Sequence, residues 1–252
     1  MSVKIGLMPY LNSEVFYYAF DTTGVEMCPM VPSVMAKAAE MGILDAGPIP
    51  IVDCFRLEDS FIPVNGFCIA TVDRARSILF FANRPIEELD GTMVAITDET
   101  STSARLTRVL LTHKYHVKPD SYVQLDKPHD AYLLIGDTAM QNRTPTDEFP
   151  YCYDLGQVWY EWTGLPFVFA RWIMRKNLNA SQQTWLHNQI ANSITIAMAN
   201  VDAIANKRSA DLRLTHDEVV EYVRSFHYVL GDAEEEAILR FRGLLDTLPE
   251  EE

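Results

Sequence analysis

The sequence is poor in the groups that would tie it to redox, metal or nucleic-acid chemistry. Its four cysteines are Cys28, Cys54, Cys68 and Cys152, and no two form a C-x-x-C pair, so a zinc site or a thioredoxin-like motif has no support. Cys28, Cys54 and Cys68 stand in apolar company and read as core thiols. No apolar run approaches the roughly 18 residues of a membrane span. The opening MSVKIGLMPYLNS has an apolar stretch of only Ile5 to Met8, broken by Pro9, and reads as a strand rather than a signal peptide. A cytoplasmic location with reduced thiols is therefore expected. Positive charge is also scarce: 21 Lys+Arg against 35 Asp+Glu give a net charge of −14. That leaves no basic face for nucleic acid, and no DNA-binding segment is visible. G-x-S-x-G, P-loop and G-x-G-x-x-G motifs are absent, which argues against serine-nucleophile, nucleotide-binding and Rossmann readings. His113 and His116 have helical ligand spacing, but no third ligand accompanies them, so no metal is expected.

What is present is an ordinary globular composition, 48% hydrophobic over 252 residues, enough for one large domain or two small ones. Short apolar runs alternate with helical patterns, the signature of an α/β fold. Val3–Met8, Ile43–Ile49, Phe67–Val72, Ser77–Ala82, Thr92–Ile96, Ala131–Ile135 and Phe167–Met174 read as strands. Helices are expected from Ser33, from near Ser101, and throughout the C-terminal region. There, Asn179/Gln182, Thr215/Glu218 and Asp232/Glu235 have capping-box spacing. This order suggests a discontinuous arrangement: residues 1–82 and 172–252 form one lobe and residues 83–171 the other. The crossings fall near Asn83 and Arg171, and a ligand cleft lies between the lobes. Trp159, Trp162 and Trp172 read as core packing beside that cleft.

The most informative stretch is Asp98-Glu99-Thr100-Ser101-Thr102-Ser103-Ala104-Arg105-Leu106. Four successive hydroxyl residues stand where a strand hands over to a helix, whose first turn offers free N–H groups and a positive dipole end. Together they suit a carboxylate or phosphate, although a single N-cap would account for one of them. Tyr10 and Asn12 follow the first strand, at the strand end where open α/β sheets place ligands. Gly136 and Asp137 stand in the same relation to the strand at 131–135; Gly136 permits close backbone approach, and Asp137 can also be a helix cap. Arg74, Arg76 and Arg171 are candidate partners for a second carboxylate.

Six motifs occur in order: YLNS at 10–13, LDAGPIPIVD at 44–53, RSILFF at 76–81, TSTSARL at 100–106, LLIGDTAM at 133–140 and YDLGQVWYEWTGLPFVFARW at 153–172. Over roughly residues 3–175 they resemble the chorismate dehydratase family of the futalosine route to menaquinone. The resemblance implies a two-lobed type II periplasmic-binding-protein-like α/β fold with an interlobe cleft. It also implies chorismate as the small-molecule substrate, loss of water to give 3-[(1-carboxyvinyl)oxy]benzoate, and no cofactor or metal. In the matching motifs Asn12 and Ser77 are the implied catalytic pair. Tyr10, Arg76, Thr100, Ser101, Thr102, Ser103, Gly136 and Asp137 are the expected substrate-binding residues. The chain departs from the family at Asp73–Arg76, where Gly-Pro is common, and in the proline-rich strand with Pro48 and Pro50; both segments are expected to line the cleft. Two alternatives share the fold: a non-catalytic protein that binds a small carboxylate, and 1,4-dihydroxy-6-naphthoate synthase, whose histidine motif is not found here.

Overall fold

The computed structural model describes residues 2–249. The chain opens with β1 (Val3–Leu7), a 3-10 turn over Leu11–Phe16, β2 (Val25–Pro29), α1 (Pro32–Glu40) and β3 (Ala46–Pro50). It continues through α2 (Ile51–Arg56), β4 (Phe61–Thr71), β5 (Ile78–Ala82), β6 (Met93–Ile96) and α3 (Thr102–Val109), which runs on as a π-helical turn over Leu110–Lys114. β7 (Ser121–Val123), β8 (Ala131–Ile135), α4 (Gly136–Gln141), β9 (Tyr151–Asp154), α5 (Leu155–Thr163) and β10 (Phe167–Arg175) follow. The C-terminal part is α6 (Ala180–Ala199), α7 (Val201–Leu212), α8 (His216–Ser225), β11 (Phe226–Val229) and α9 (Asp232–Leu245).

Two mixed sheets build two lobes. One has six strands in the order β11-β4-β10-β3-β1-β2, the other five in the order β7-β6-β8-β5-β9. β1 runs parallel to β2 and β3, and β10 antiparallel to β3 and β4. In the second sheet β5 pairs antiparallel with β8 and β9, and β6 parallel with β7 and β8. The chain changes sheet between Thr71 and Ile78 and returns between Asp154 and Phe167. Both crossings precede the expected ones near Asn83 and Arg171. The place of β5 in the chain predicts it in the first lobe. Its five buried residues are instead sandwiched between β8 and β9, and only pairing partners reveal which sheet takes such a uniformly apolar strand.

β3 carries Pro48 and Pro50 in the interior of its sheet, where a missing N–H normally disrupts the ladder. Its pairing with β1 is confined to Ile5 and Ala46. Both prolines therefore lie beyond that ladder, at the end of the strand that faces the cleft.

Aromatic side chains weld the first lobe to α5 and α9. Trp159 meets Trp162, Phe167 and Phe241 edge-on, and Trp172 meets Phe16 at 5.6 Å between ring centres. Each such fully buried ring contributes roughly 2–3 kcal/mol through area removed from water. The capping boxes at Asn179/Gln182 and Thr215/Glu218 form as expected. At α9 the reciprocal bond is shifted by one residue: the Gly231 N–H donates to Glu234, 2.9 Å away, and Asp232 is already helical. Glu234 is thereby buried.

Candidate active site

The carboxyl ends of β1, β3, β6 and β8 converge between the lobes around a cavity of about 470 Å³, mouth included. Its polar lining consists of Tyr10, Asn12, Ser77, Thr100, Thr102 and Ser103. Met8, Pro32, Pro50, Ile69, Ile78, Ile135, Gly136, Phe169, Ala170 and Phe226 supply the rest. Among the described residues no carboxylate, imidazole, ammonium or guanidinium group is part of the lining.

Asn12 lies in the 3-10 turn that follows β1 and is 8% exposed. Its Oδ1 is buried with no hydrogen-bond partner. An orphan amide acceptor costs folding free energy, and Asn12 is part of the cavity lining, where a ligand O–H can satisfy it. Thr102 Oγ1, at the first residue of α3, is buried and unpartnered in the same way. The neighbouring hydroxyls divide their work. Thr100 Oγ1 accepts from the Ser103 N–H at 3.1 Å and so acts as the cap. Ser101 turns away from the cavity to donate to Asp53.

Ser77 precedes β5 and is fully buried. Its hydroxyl accepts from the Tyr222 phenol at 2.7 Å and makes a longer contact, 3.3 Å, with the Ala75 carbonyl. The approach to Ser77 is held by Asp154, the N-cap of α5. Oδ1 accepts from the N–H groups of Ala75, Gly156 and Gln157, and Oδ2 from that of Arg76 at 2.6 Å. Gly156 is required for this approach, because a Cβ there would lie 2.8 Å from the Ala75 nitrogen. Arg76 adopts φ +60°, a conformation few side-chain-bearing residues take; the two Asp154 bonds on this loop hold it there.

Gly136 has a comparable reason. Its φ is +57°, and a Cβ would sit 2.8 Å from Cδ1 of Tyr10, so the Tyr10 ring packs flat against the backbone of the opposite lobe. The Tyr10 hydroxyl then donates to Glu99 at 2.8 Å. Burial, reinforced by Glu99, pushes the Tyr10 phenol far above its usual range, so it stays protonated near neutral pH.

Three expected substrate-binding residues do not line the cavity. Asp137 accepts from the Leu11 N–H at 3.0 Å and from Arg208 at 2.5 Å. Burial raises its carboxyl, and these two donors work against that rise. Its role is to tie the lobes together. Arg76 points outward to Glu221 on α8, at 2.6 Å. Ser101 pairs with Asp53. Of the two departures from the family pattern, Pro50 reaches the cavity whereas Asp73–Arg76 do not line it. Arg171 pairs with Glu235. Ser33 adds two bonds across the cleft, N–H to the Glu99 carbonyl and Oγ to the Asp98 carbonyl. Sequence reasoning missed the apolar walls, Phe169 and Phe226 above all, and Tyr222 behind Ser77. Phe226 and Tyr222 belong to the helical tail, where nothing in the local pattern marks a cavity. Among the described residues no helix is long and apolar enough to cross a membrane.

The chain is similar to several known proteins. Chorismate dehydratase of Thermus thermophilus is 25% identical over 190 residues, which span 68% of this chain and 69% of that protein. A crystal structure of a protein from Archaeoglobus fulgidus superposes with a TM-score of 0.78 at 18% identity, covering 97% of both chains. The periplasmic aliphatic sulphonate binding protein of Escherichia coli superposes at 0.64 with 11% identity, over 97% of this chain and 85% of that one. The two-lobed architecture is thus that of periplasmic binding proteins. The family model described as menaquinone biosynthesis matches residues 3–247, and the chain belongs to that family.

Proposed function

We propose that the protein is a cofactor-independent hydro-lyase that removes water from chorismate in the interlobe cavity, giving 3-[(1-carboxyvinyl)oxy]benzoate. The observation that carries this reading is the pairing of Asn12 and Ser77 on one cavity whose lining, among the described residues, holds no side-chain base. A dehydration needs a proton acceptor, help for the leaving hydroxyl, and shelter from water. Amide and hydroxyl groups are not basic near pH 7, and the Tyr10 phenol is held protonated. The acceptor therefore comes with the substrate. Its enolpyruvyl carboxylate takes the C3 proton as the C4–oxygen bond breaks, and that proton leaves with the departing hydroxide as water. Aromatisation of the ring supplies the driving force.

In this reading the C4 hydroxyl donates to Asn12 Oδ1 and accepts from Ser77. The ring carboxylate sits at the start of α3, where Thr102 offers its free hydroxyl and the helix dipole favours negative charge. Phe169, Phe226, Ile69, Ile78 and Ile135 enclose the ring and exclude water. The Thermus relative, named for this activity, supports the same substrate. The experiment is to incubate purified protein with chorismate and separate the products by liquid chromatography with mass detection. A product one water lighter that retains the enolpyruvyl group is expected. Chorismate recovered unchanged, under conditions where an authentic chorismate dehydratase works, contradicts the proposal. Unchanged chorismate that nevertheless raises Tm points instead to a binding protein of the same fold.

A further inference from the structure

The hydroxyl of Ser77 is itself held by a group outside the cavity. Tyr222, on α8, is 2% exposed. Its ring is clamped against Phe226 at 4.9 Å between centroids, and Phe226 is a cavity wall. Its phenolic oxygen lies 2.7 Å from Ser77 Oγ. This contact links the helical tail to the residue placed at the leaving group.

The direction of the bond follows from what each partner can do with its own proton. Ser77 has the Ala75 carbonyl beside it as an alternative acceptor; the buried phenol has Ser77. If Ser77 donated to Tyr222, the phenolic proton would be left buried without an acceptor, which is unfavourable. Tyr222 is therefore the donor, and burial keeps it a phenol by raising it far above its usual range. With Tyr222 as the donor, the Ser77 proton is not spent on the phenol and stays available to the cavity. The 3.3 Å contact to Ala75 is long for O–H···O, so a substrate hydroxyl competes with it readily. Donation from Tyr222 also polarises the Ser77 O–H and strengthens its next bond.

We infer that Tyr222 is a positioning residue: by donating to Ser77 Oγ it commits the Ser77 proton to the departing hydroxyl. The inference rests on the dehydration proposed above. No proton passes from Tyr222; it remains a phenol throughout, and only the polarity of the Ser77 hydroxyl is set.

The test is Tyr222→Phe, measured beside the wild type, Ser77→Ala and the double variant, with chorismate as substrate and Tm followed for each. Loss of the phenol alone is expected to lower kcat about 10- to 100-fold with KM within about threefold of wild type. In the Ser77→Ala background the same change is expected to cause no further loss, because its effect runs through Ser77. A packing defect at position 222 would slow both backgrounds alike, so additive losses overturn the inference. So does a Tyr222→Phe protein that keeps wild-type kcat. A wild type that leaves chorismate unchanged overturns the dehydratase reading itself and this role with it, a result distinct from the other two.

Discussion

Asn12→Ala is expected to lower kcat/KM for chorismate by about 10²- to 10³-fold, the scale of removing one well-placed hydrogen-bonding group from the reacting centre, without loss of stability. The two halves of this result have one cause. Asn12 Oδ1 is buried and accepts no hydrogen bond from the described residues, so folding gains little from it and bears its desolvation. Truncation removes that burden, and Tm should stay level or rise by a few degrees. Ser77→Ala should match the kinetic loss but not the stability. It strands the Tyr222 phenol without an acceptor at 2.7 Å, at a cost of about 1–3 kcal/mol. Steady-state kinetics and thermal melts on the two variants make the comparison. Turnover that survives in both would remove these residues from the chemistry. An Asn12→Ala protein that melts well below wild type would show that the amide is a structural group.

Asp154→Ala is expected to be the most destabilising of the polar changes near the site. The carboxylate is 8% exposed and accepts from four backbone N–H groups, two on the loop before Ser77 and two on the first turn of α5. Charge-assisted bonds of this kind are worth about 1.5–3 kcal/mol each when removed singly, and they are not additive. A loss of about 3–5 kcal/mol follows, which for a chain of this length lowers Tm on the order of 10 °C. The loop would also lose both of the Asp154 bonds that hold Arg76 in its left-handed conformation, so it should relax and carry Ser77 off position. Asp154→Asn keeps one acceptor oxygen and should fall between the two. A Tm shift under about 2 °C for Asp154→Ala would show that water or backbone rearrangement replaces the carboxylate.

The sequence was most legible where one residue does one local job. The capping boxes at Asn179 and Thr215, the strand at 131–135 and the helix after the hydroxyl run all follow from short-range pattern. Tyr10, Asn12, Ser77, Thr100, Thr102, Ser103 and Gly136 come together on the cavity because they sit at the carboxyl ends of strands or beside β5. The illegible part depends on partners distant in the chain. Asp137 looks like a ligand group, but Arg208, 71 residues later, claims it. Arg76 looks like a carboxylate clamp, but Glu221, 145 residues later, draws it outward. β5 looks like the end of the first lobe because its apolar residues suit either sheet, and β11 is hidden among helical capping signals. Tyr222 carries no mark of function in its own helix; it matters through Ser77 alone.

The central claim is that chorismate lies between the lobes with its C4 hydroxyl at Asn12 and Ser77 and its ring carboxylate at the start of α3. A crystal structure of the Ser77→Ala protein grown with chorismate tests this most directly. Intact chorismate is expected in the cavity, its C4 hydroxyl bonded to Asn12 Oδ1, its ring carboxylate on the Thr102 hydroxyl, and the enolpyruvyl carboxylate folded over C3. Chorismate lodged in another groove, or in the cavity with the hydroxyl turned toward Thr102 and a carboxylate against Asn12, would contradict it.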